Sequence, residues 1–478
     1  MMHGLFRILL APAAAWLLAA TACFAAAPSV PDEQLEPLTS AYLRVVKPGD
    51  EAELHRELFG TVLRRVSRSY AREVDMPALL AAAMKTLEPL APHSGEPGEV
   101  FKKAINAGLA TLDPHSRYLD PMAASLQRGS ITGRFGGLGL QVEMADGLVR
   151  VVTAMPGTPA ARAGLQSGDL IVRFDDQPVQ GMTLTQAVFR MRGEPGTPIE
   201  LLIRRGGEQE DEFRVSLVRE LIGRETVRWS REGDVLVLRL ASFTGLTWPA
   251  MGKAISEAAA AGHPRAIVLD LRGNTGGLFR QALITADAFL GKGEIVSLQG
   301  RAASSRRTWR ADANEQLTGA PMVVLIDGRS ASASELVAAA LQENGRAVVM
   351  GQRSFGKGSV QSMISLGDDK GMLRLTTGLY YGPSGRSVQR TGVNPDIELV
   401  PAQVPAARSR RREADRANGL PGTDEPLPPK ARVEETRCAP SRKDLDLGLA
   451  CALAFIQAGG IDEFVVAVET GEPDEREP

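Results

Sequence analysis

The sequence predicts a multidomain α/β protein with a helical N-terminal region, a small β-rich domain and an α/β core. Two observations predict the core. Met322–Ile326 is an apolar run that leads through a turn into an Ala/Leu-rich helical pattern and then a second apolar run. Residues 266–277 form a similar apolar strand that runs into a Gly-rich turn before another helix. Because such crossover units pair their strands in parallel, their loops are expected to face one another at one edge of a sheet.

Length and composition set the outer limits. The chain has 478 residues, of which 44% are hydrophobic, so it is long enough for two or three domains with cores of their own. Its net charge of −2 argues against a broad nucleic-acid surface. The predicted regions are a helical region at 28–127, the β-rich domain at 128–219, the core at 220–400, a flexible Pro-, Arg- and Glu-rich linker at 401–440 and a C-terminal helix with an acidic tail at 441–478.

Residues 1–27 are typical of a secretory signal peptide. Arg7 precedes a short apolar stretch, and residues 25–27 are small enough for a cleavage site. A membrane anchor is the alternative, and lipid attachment at Cys23 is a second one, because that cysteine ends a weak lipoprotein box. In each case the mature protein is expected outside the cytoplasm, in the periplasm if the signal is simply removed.

Export affects how the cysteines are interpreted. Cys438 and Cys451 would be the two that remain after signal removal. An oxidising compartment makes a disulfide between them plausible, and two free thiols, with Cys451 on the apolar face of a helix, are the alternative. No Cys/His spacing typical of a metal site occurs, and neither a metal nor another cofactor is expected.

The second region begins with a Gly-rich stretch. Strands are predicted at 140–143, 147–152, 169–174 and 199–204, with a helix near 184–191. This order, with one Gly-Leu-Gly loop and one late helix, resembles a PDZ domain. The resemblance implies capture of a peptide's C-terminal carboxylate by loop N–H groups, with Leu184 and Val188 lining the side-chain pocket. The residues of that loop are Gly137, Leu138, Gly139 and Leu140.

Candidate chemistry lies in the turn after Met322–Ile326. Ser330, Ser332 and Ser334 all occur there, and Ser332 with Glu335 also fits a capping box with a purely structural role. Lys357, which follows the second strand, favours a catalytic interpretation. A buried lysine loses its charge readily, and the neutral amine can deprotonate a serine.

Gln361 adds to this pattern. In an extended segment it would share one face with Lys357, so its amide could hold the amine in place. The residues alone do not decide which of the three serines reacts. His115, in an Asp-Pro turn, is interpreted as a structural histidine.

Three other motifs fit less well. Residues 351–357 nearly complete a phosphate-binding loop, but Gly358 replaces the required Ser or Thr. Ser354 and Lys357 have the Ser-x-x-Lys spacing of penicillin-interacting enzymes, yet the partner motifs Ser-Asp-Asn and Lys-Thr-Gly are missing from the sequence. A Ser-His-Asp triad would need a histidine such as His263, and the sequence contains no Gly-x-Ser-x-Gly elbow.

The combination of motifs resembles the C-terminal processing peptidases, also called tail-specific proteases. It includes Ser-Ala-Ser-Ala-Ser-Glu, Ser-Phe-Gly-Lys-Gly-Ser-Val-Gln and the PDZ-like region, and it covers most of residues 111–399. The resemblance implies a ClpP/crotonase-like core in which Ser332 is the nucleophile, Lys357 the general base and Gln361 its orienting partner. It further implies an oxyanion hole formed by the N–H of Ala333 and that of Gly276 or Gly277. Some family members carry an acidic residue after the serine, and Glu343 lies in that neighbourhood.

The expected function is therefore a serine endopeptidase that binds the C-terminal tails of exported proteins and cleaves near them. A catalytically silent scaffold that only binds such tails is the alternative. The expected partners are proteins with accessible apolar C-termini, together with an adaptor or activator, a membrane surface or a second copy of the chain; nucleic acid is excluded.

Overall fold

A computed structural model describes residues 31–206, 211–223, 225–312, 319–401, 411–422, 425, 427–438, 440 and 445–470. The predicted signal segment with Cys23 lies outside the described residues, and so does the predicted acidic tail at 472–478.

The N-terminal region is helical, as expected. Its core is built on aromatic rings in edge-to-face contact, with centroids 4.6 Å apart for Phe59 and Phe101 and 5.1 Å apart for Phe101 and Tyr118. The same core includes Leu373 and Leu375, so the helices pack directly on the region predicted as the α/β core. The elements are α1 (Asp32–Val45), α2 (Asp50–Ser69), α3 (Met76–Lys85), α4 (Pro97–Leu109), β1 (Arg117–Leu119) and α5 (Pro121–Thr132).

The β-rich domain follows α5, which ends at Gly133 in the left-handed conformation. Its main sheet has six strands, and a two-stranded ribbon joins its two ends to the rest of the chain. The predicted strands and the late helix are confirmed to within a few residues. The elements are β2 (Arg134–Gly137), β3 (Leu140–Ala145), β4 (Leu148–Ala154), α6 (Pro159–Arg162), β5 (Leu170–Phe174), β6 (Gln177–Pro178), α7 (Leu184–Met191), β7 (Pro198–Arg205), β8 (Asp211–Val218) and β9 (Glu220–Gly223). The ribbon consists of β2 and β9, and the sheet order is β3-β4-β5-β7-β8 with β6 on β5.

The core contains a seven-stranded sheet whose strands are parallel except for the first. Its central strands are buried along their whole length, as expected for a sheet covered on both faces. In order along the sheet, the strands are β10 (Val227–Glu232), β11 (Val235–Leu240), β12 (Ala266–Asp270), β15 (Met322–Ile326), β16 (Val348–Gly351), β19 (Ile397–Val400) and β20 (Ala431–Glu434).

A second, antiparallel sheet packs beside the first, and its strand Ser359–Ser365 begins two residues after Lys357. It joins β1 to β18 (Met372–Tyr381), β17 (Ser359–Ser365), β13 (Glu294–Gln299) and β14 (Arg307–Arg310). The helices of the core are α8 (Thr247–Ala260), α9 (Phe279–Asp287) and α10 (Ala333–Glu343).

The C-terminal segment docks on the parallel sheet. It forms α11 (Leu447–Ala458) and α12 (Ile461–Thr470), whose apolar side chains share one core with Val268 and Val323. Cys438 and Cys451 form a disulfide, which settles the alternative left open by the sequence. Within the described residues no single helix has the length and apolar character to cross a membrane; only the bent pair of α11 and α12 passes that test together.

The prediction of a flexible linker at 401–440 is wrong for the described parts of that segment. β20 is the edge strand of the parallel sheet, and residues 411–422 pack against the core. The physical reason is that two apolar side chains in this polar stretch, Leu420 and Val433, are buried.

Candidate active site

The loops after β12 and β15 meet at the carboxyl edge of the parallel sheet, as the sequence predicted. Asp327, the first residue after β15, joins them. Its carboxylate accepts hydrogen bonds from the N–H of Gly273 in the first loop (3.0 Å) and from the N–H groups of Arg329 (2.9 Å) and Ser330 (3.0 Å) in the second. The two turns therefore form one rigid surface.

The three serines of the second loop lie in different environments. Ser330 and Ser334 are fully buried, and their hydroxyl groups donate to the carbonyl oxygens of Leu271 and Asn274, both at 2.8 Å. These two hydroxyls therefore tie the second loop to the first. Ser332 is partly exposed. The structure thus separates one accessible serine from two structural ones, which the sequence alone did not do.

Ser332 is held in an unusual backbone conformation. Its φ is +57° and its ψ is −113°, directly before the first turn of α10. A non-glycine residue in this conformation costs about 1–3 kcal/mol, so it persists where surrounding contacts fix it. Here the Ser332 N–H donates to the Glu335 carboxylate at 2.7 Å, which is one half of the capping box that the sequence predicted.

Glu335 does more than cap a helix. Its carboxylate is fully buried and also accepts hydrogen bonds from the Ser354 hydroxyl (2.6 Å) and from the N–H groups of Gly356 (2.6 Å) and Lys357 (2.8 Å). Burial raises the pKa of this carboxyl, against the lowering effect of its four donors. One carboxylate therefore joins the serine turn to the lysine loop, a role that no local sequence pattern indicates.

Lys357 lies in the irregular segment between β16 and β17. Its Nζ donates to Oε1 of Gln361 at 2.5 Å, so the predicted contact between these two side chains is present. Burial, and then the neighbouring positive charge of Arg374, lower the pKa of Lys357 to about 8. At pH 7 about a tenth of the amine is therefore neutral, far more than for a lysine with the ordinary pKa of about 10.4.

Gln361 is itself held from its other side. Its Nε2 donates to the hydroxyl groups of Ser359 (3.0 Å) and Thr376 (3.1 Å), which fixes the amide oxygen toward the lysine. Thr376 in turn donates to the buried carboxylate of Asp113 at 3.1 Å. The turn at 112–118 thus supports the lysine through two intervening side chains.

Tyr380 is a second residue that sequence reasoning missed. Its hydroxyl lies 2.9 Å from the carbonyl oxygen of Ser332 and 2.7 Å from that of Lys357. The ring is buried. Tyr380 therefore fixes the spacing between the two candidate catalytic residues, although it lies far from Ser332 in the sequence.

The backbone groups predicted for an oxyanion hole lie next to Ser332. Ala333 is the first residue of α10, and a Cβ placed on Gly276 would be 2.9 Å from the Cβ of Ser332 and 3.0 Å from the Ala333 nitrogen. The N–H of Gly276 donates to the Asn274 side chain at 2.9 Å. Gly277 forms a parallel β-bridge with Phe243. The hydrogen bonds of this bridge are made by the neighbours of Gly277, namely the carbonyl of Gly276 and the N–H of Leu278. The N–H of Gly277 itself therefore points away from Phe243.

Two other predicted positions lie elsewhere. Glu343 is at the far end of α10, where its carboxylate accepts a bond from the Ser384 N–H (2.8 Å) and lies 3.6 Å from the Arg386 guanidinium. It is therefore not beside Ser332.

The Nε2 of His115 lies 2.8 Å from the carboxylate of Glu413, in keeping with a structural role. In the described residues no group of three or more His, Cys, Asp and Glu side chains is placed to hold a metal ion.

The PDZ-like region carries a groove of about 310 Å³ between the Gly-rich loop and α7. Val188 lines this groove together with Met191, and all four residues of the predicted loop, Gly137 to Leu140, border it. Leu184 does not border it; this side chain lies in the first turn of α7 and is 38% exposed. The expectation that Leu184 lines the pocket is therefore not met, because the groove lies against the later turns of the helix.

Arg192 is a groove residue that the sequence did not indicate. Its guanidinium lies 4.2 Å from the centre of the Phe135 ring, and both residues border the groove. A guanidinium stacked on an aromatic ring is held in place and retains its charge. It gives the groove a fixed positive charge close to the loop that is expected to receive a carboxylate.

Comparison with known proteins agrees with these observations. The model for peptidase family S41 matches residues 234–399, and a PDZ-domain model matches residues 150–205. A carboxy-terminal-processing protease of Bartonella bacilliformis is 46% identical over 302 residues, which cover 63% of this chain and 69% of that protein. The chain belongs to peptidase family S41. This S41 chain is also 32% identical over 320 residues to the chloroplastic C-terminal processing peptidase of Tetradesmus obliquus, covering 63% of this chain and 68% of that protein.

Two solved structures are similar to parts of this S41 peptidase. The photosystem II D1 C-terminal processing protease is 29% identical and covers 74% of this chain and 94% of that chain, with a TM-score of 0.45. A PDZ domain of a carboxy-terminal protease from Vibrio cholerae, solved with a peptide, is 26% identical and covers 19% of this chain and 97% of that chain, with a TM-score of 0.18. The sequence matches, and not these structures, identify the protein as a serine-type peptidase of the carboxy-terminal-processing family that contains a PDZ domain.

Proposed function

We propose that this peptidase cleaves peptide bonds with a Ser332/Lys357 dyad and recruits its substrates by their C-terminal tails. The observation that carries the proposal is the pairing of one accessible serine with one lysine of lowered pKa, whose backbones are joined by Tyr380 and Glu335. Gln361 orients the amine. A serine hydroxyl becomes a useful nucleophile only when a neighbouring base removes its proton, and the neutral amine supplies that base.

The reaction proceeds through an acyl-enzyme. The Ser332 Oγ attacks the carbonyl carbon while its proton passes to the Nζ of Lys357, and the carbonyl oxygen gains the negative charge. As the C–N bond breaks, the ammonium returns this proton to the leaving amine. Water then attacks the ester, gives a proton to Lys357 and releases the acid, after which the proton returns to Ser332.

The oxyanion is stabilised by backbone N–H groups. The Ala333 N–H at the start of α10 is one donor, and the helix N-terminus adds a favourable field. For the second donor we favour Gly277 over Gly276, because the Gly276 N–H is already bound to Asn274. The close approach of Gly276 to Ser332 then keeps the loop against the nucleophile.

The pH dependence of cleavage tests the lysine. Lys357 must be neutral to accept a proton, and its pKa is lowered to about 8. We therefore expect kcat/KM to rise about tenfold per pH unit below about pH 8 and to level off above it. The measurement is kcat/KM on an unfolded reporter across this range. An acid limb near the ordinary lysine value of about 10.4, or near the ordinary histidine value of about 6.5, would contradict the proposed base.

Substrate recruitment can be tested in the PDZ groove. Replacing Val188 with aspartate puts a negative charge where we expect the tail to bind, so KM for a reporter with an apolar C-terminal tail is expected to rise about tenfold or more, equivalent to about 1.4 kcal/mol. Leu184→Asp is the matched control, since it adds the same charge to the same helix outside the groove. The recruitment idea fails if Val188→Asp affects tailed and tail-less reporters equally.

The compartment is also a proposal. Residues 1–27 carry the pattern of an export signal, and the buried Cys438–Cys451 disulfide is of the kind that persists in oxidising compartments. An exported peptidase shares its compartment with other exported proteins, so we propose these as its substrates. Cell fractionation with mass measurement of the mature N-terminus separates a cleaved periplasmic form from a lipid-anchored or membrane-anchored one. Recovery of the intact chain in the cytoplasm would contradict export.

A further inference from the structure

Residues 411–422, here called the strap, lie across the segment that carries Lys357. Arg412 Nη2 donates to the carbonyl oxygens of Arg353 (2.8 Å) and Ser354 (2.7 Å), at the start of that segment. The backbone N–H of Glu413 donates to the carbonyl oxygen of Phe355 at 3.2 Å. The strap therefore fixes three consecutive carbonyl groups of an irregular loop that has no helix or strand hydrogen bonds of its own.

Glu413 is the anchor of the strap. Its side chain is only 1% exposed, and its Oε1 accepts hydrogen bonds from His115 Nε2 (2.8 Å) and Gln389 Nε2 (3.3 Å). The amide oxygen of Gln389 in turn accepts the N–H of Gly358 at 2.9 Å. Because Gly358 directly follows Lys357, the carboxylate of Glu413 is connected to the lysine loop through a single side chain.

The other end of the strap is attached to the N-terminal helical region. Asn418 donates from Nδ2 to the carbonyl oxygen of Ala110 at 2.9 Å. Leu420 is buried in the aromatic core of that region, and its carbonyl oxygen accepts a second bond from Gln389 at 3.2 Å. The strap therefore connects the helical region with the lysine loop.

We propose that the strap is a positioning element for the dyad, with Glu413 as its positioning residue. The proposal rests on the assignment of Lys357 as the base. The lysine loop is held between two buried carboxylates, Glu335 on the side of Ser332 and Glu413 on the side of the strap. Removing Glu413 takes the acceptor from the partly buried His115 Nε2 and one of the two acceptors from the buried Gln389 amide. This loosens the strap and lets the amine move away from the nucleophile.

The test compares Glu413→Ala with Glu413→Gln. In the alanine variant we expect kcat to fall about 10- to 100-fold, because displacement of a catalytic group by about 1 Å has effects of this size. KM for a tailed reporter should stay within about twofold, since the PDZ groove is untouched. The glutamine variant should recover part of kcat, because a single amide oxygen at the position of Oε1 can accept both bonds, whereas the amide nitrogen at the position of Oε2 would face the donor His115 Nε2 at 3.0 Å.

Hydrogen exchange gives a readout that does not depend on cleavage. In a Ser332→Ala background, Glu413→Ala should speed exchange across residues 353–361. Asp396→Asn is the matched control: Asp396 is a buried carboxylate that accepts the Val349 N–H at 2.9 Å and does not contact the lysine loop. Unchanged exchange in Glu413→Ala, or equal acceleration in Asp396→Asn, would overturn the strap proposal whether or not the dyad assignment holds.

A second variant is needed because Glu413→Ala removes a buried group and could prevent folding. Asn418→Ala cuts the attachment of the strap to Ala110 from an exposed position. It should give a smaller fall in kcat and faster exchange at the same peptides. Parent-like kcat and parent-like exchange in Asn418→Ala would count against the strap as a positioning element.

Discussion

Replacing Ser332 with alanine is expected to abolish cleavage, with kcat falling by at least about 10⁴-fold. The reason is that Ser332 is the accessible hydroxyl of the serine turn, next to the N–H of Ala333 and within the same framework as Lys357. The measurement is single-turnover cleavage of an unfolded reporter with an apolar tail. The same variant should still bind the tail, because its PDZ groove is unchanged.

The neighbouring serines supply matched controls. Ser330→Ala and Ser334→Ala each remove a buried hydroxyl that donates to a loop carbonyl, so each should lower the free energy of unfolding by about 1–3 kcal/mol. Both should retain most of their activity below their melting temperatures. Loss of activity in Ser330→Ala or Ser334→Ala equal to that in Ser332→Ala, with folding intact, would show that the nucleophile has been assigned wrongly.

The part of the site that the sequence predicted depends on local patterns. The apolar runs at Ala266–Asp270 and Met322–Ile326 are fully buried parallel neighbours, and their loops meet at one edge. The contact between Lys357 and Gln361 followed from two-residue periodicity in an extended segment. In each case the pattern that predicts the geometry lies within single segments: the strand-turn-helix order in the first case and the two-residue period in the second.

The parts that the sequence did not predict depend on contacts between distant segments. Glu413 lies in a polar stretch whose composition is typical of a linker, and its burial makes sense only beside His115, 298 positions away. Tyr380 likewise reaches Ser332 across 48 positions. No propensity or period in a single segment reports such contacts. Leu184 shows the limit of helical periodicity, which predicts a face of a helix but not how much of that face a groove covers.

Replacing Lys357 with methionine is expected to lower kcat by at least about 10³-fold while the fold remains intact. Methionine has a similar length and no charge, so the substitution removes the proposed base. It also removes the cost of placing an ammonium in a site that lowers the pKa of this lysine to about 8. Kinetics on the tailed reporter and thermal melting measure the two effects. The melting temperature should be unchanged or higher.

Lys357→Arg separates basicity from charge. A guanidinium keeps the positive charge near Gln361 but does not lose a proton in this pH range, so it cannot serve as a base. If the lysine acts only as a cation that attracts substrate or stabilises the oxyanion, the arginine variant should keep much of its activity. If Lys357 takes the proton of Ser332, the arginine variant should be as inactive as the methionine variant, and raising the pH should restore neither. Only the second outcome is compatible with the dyad, because proton transfer requires a neutral amine in the starting complex.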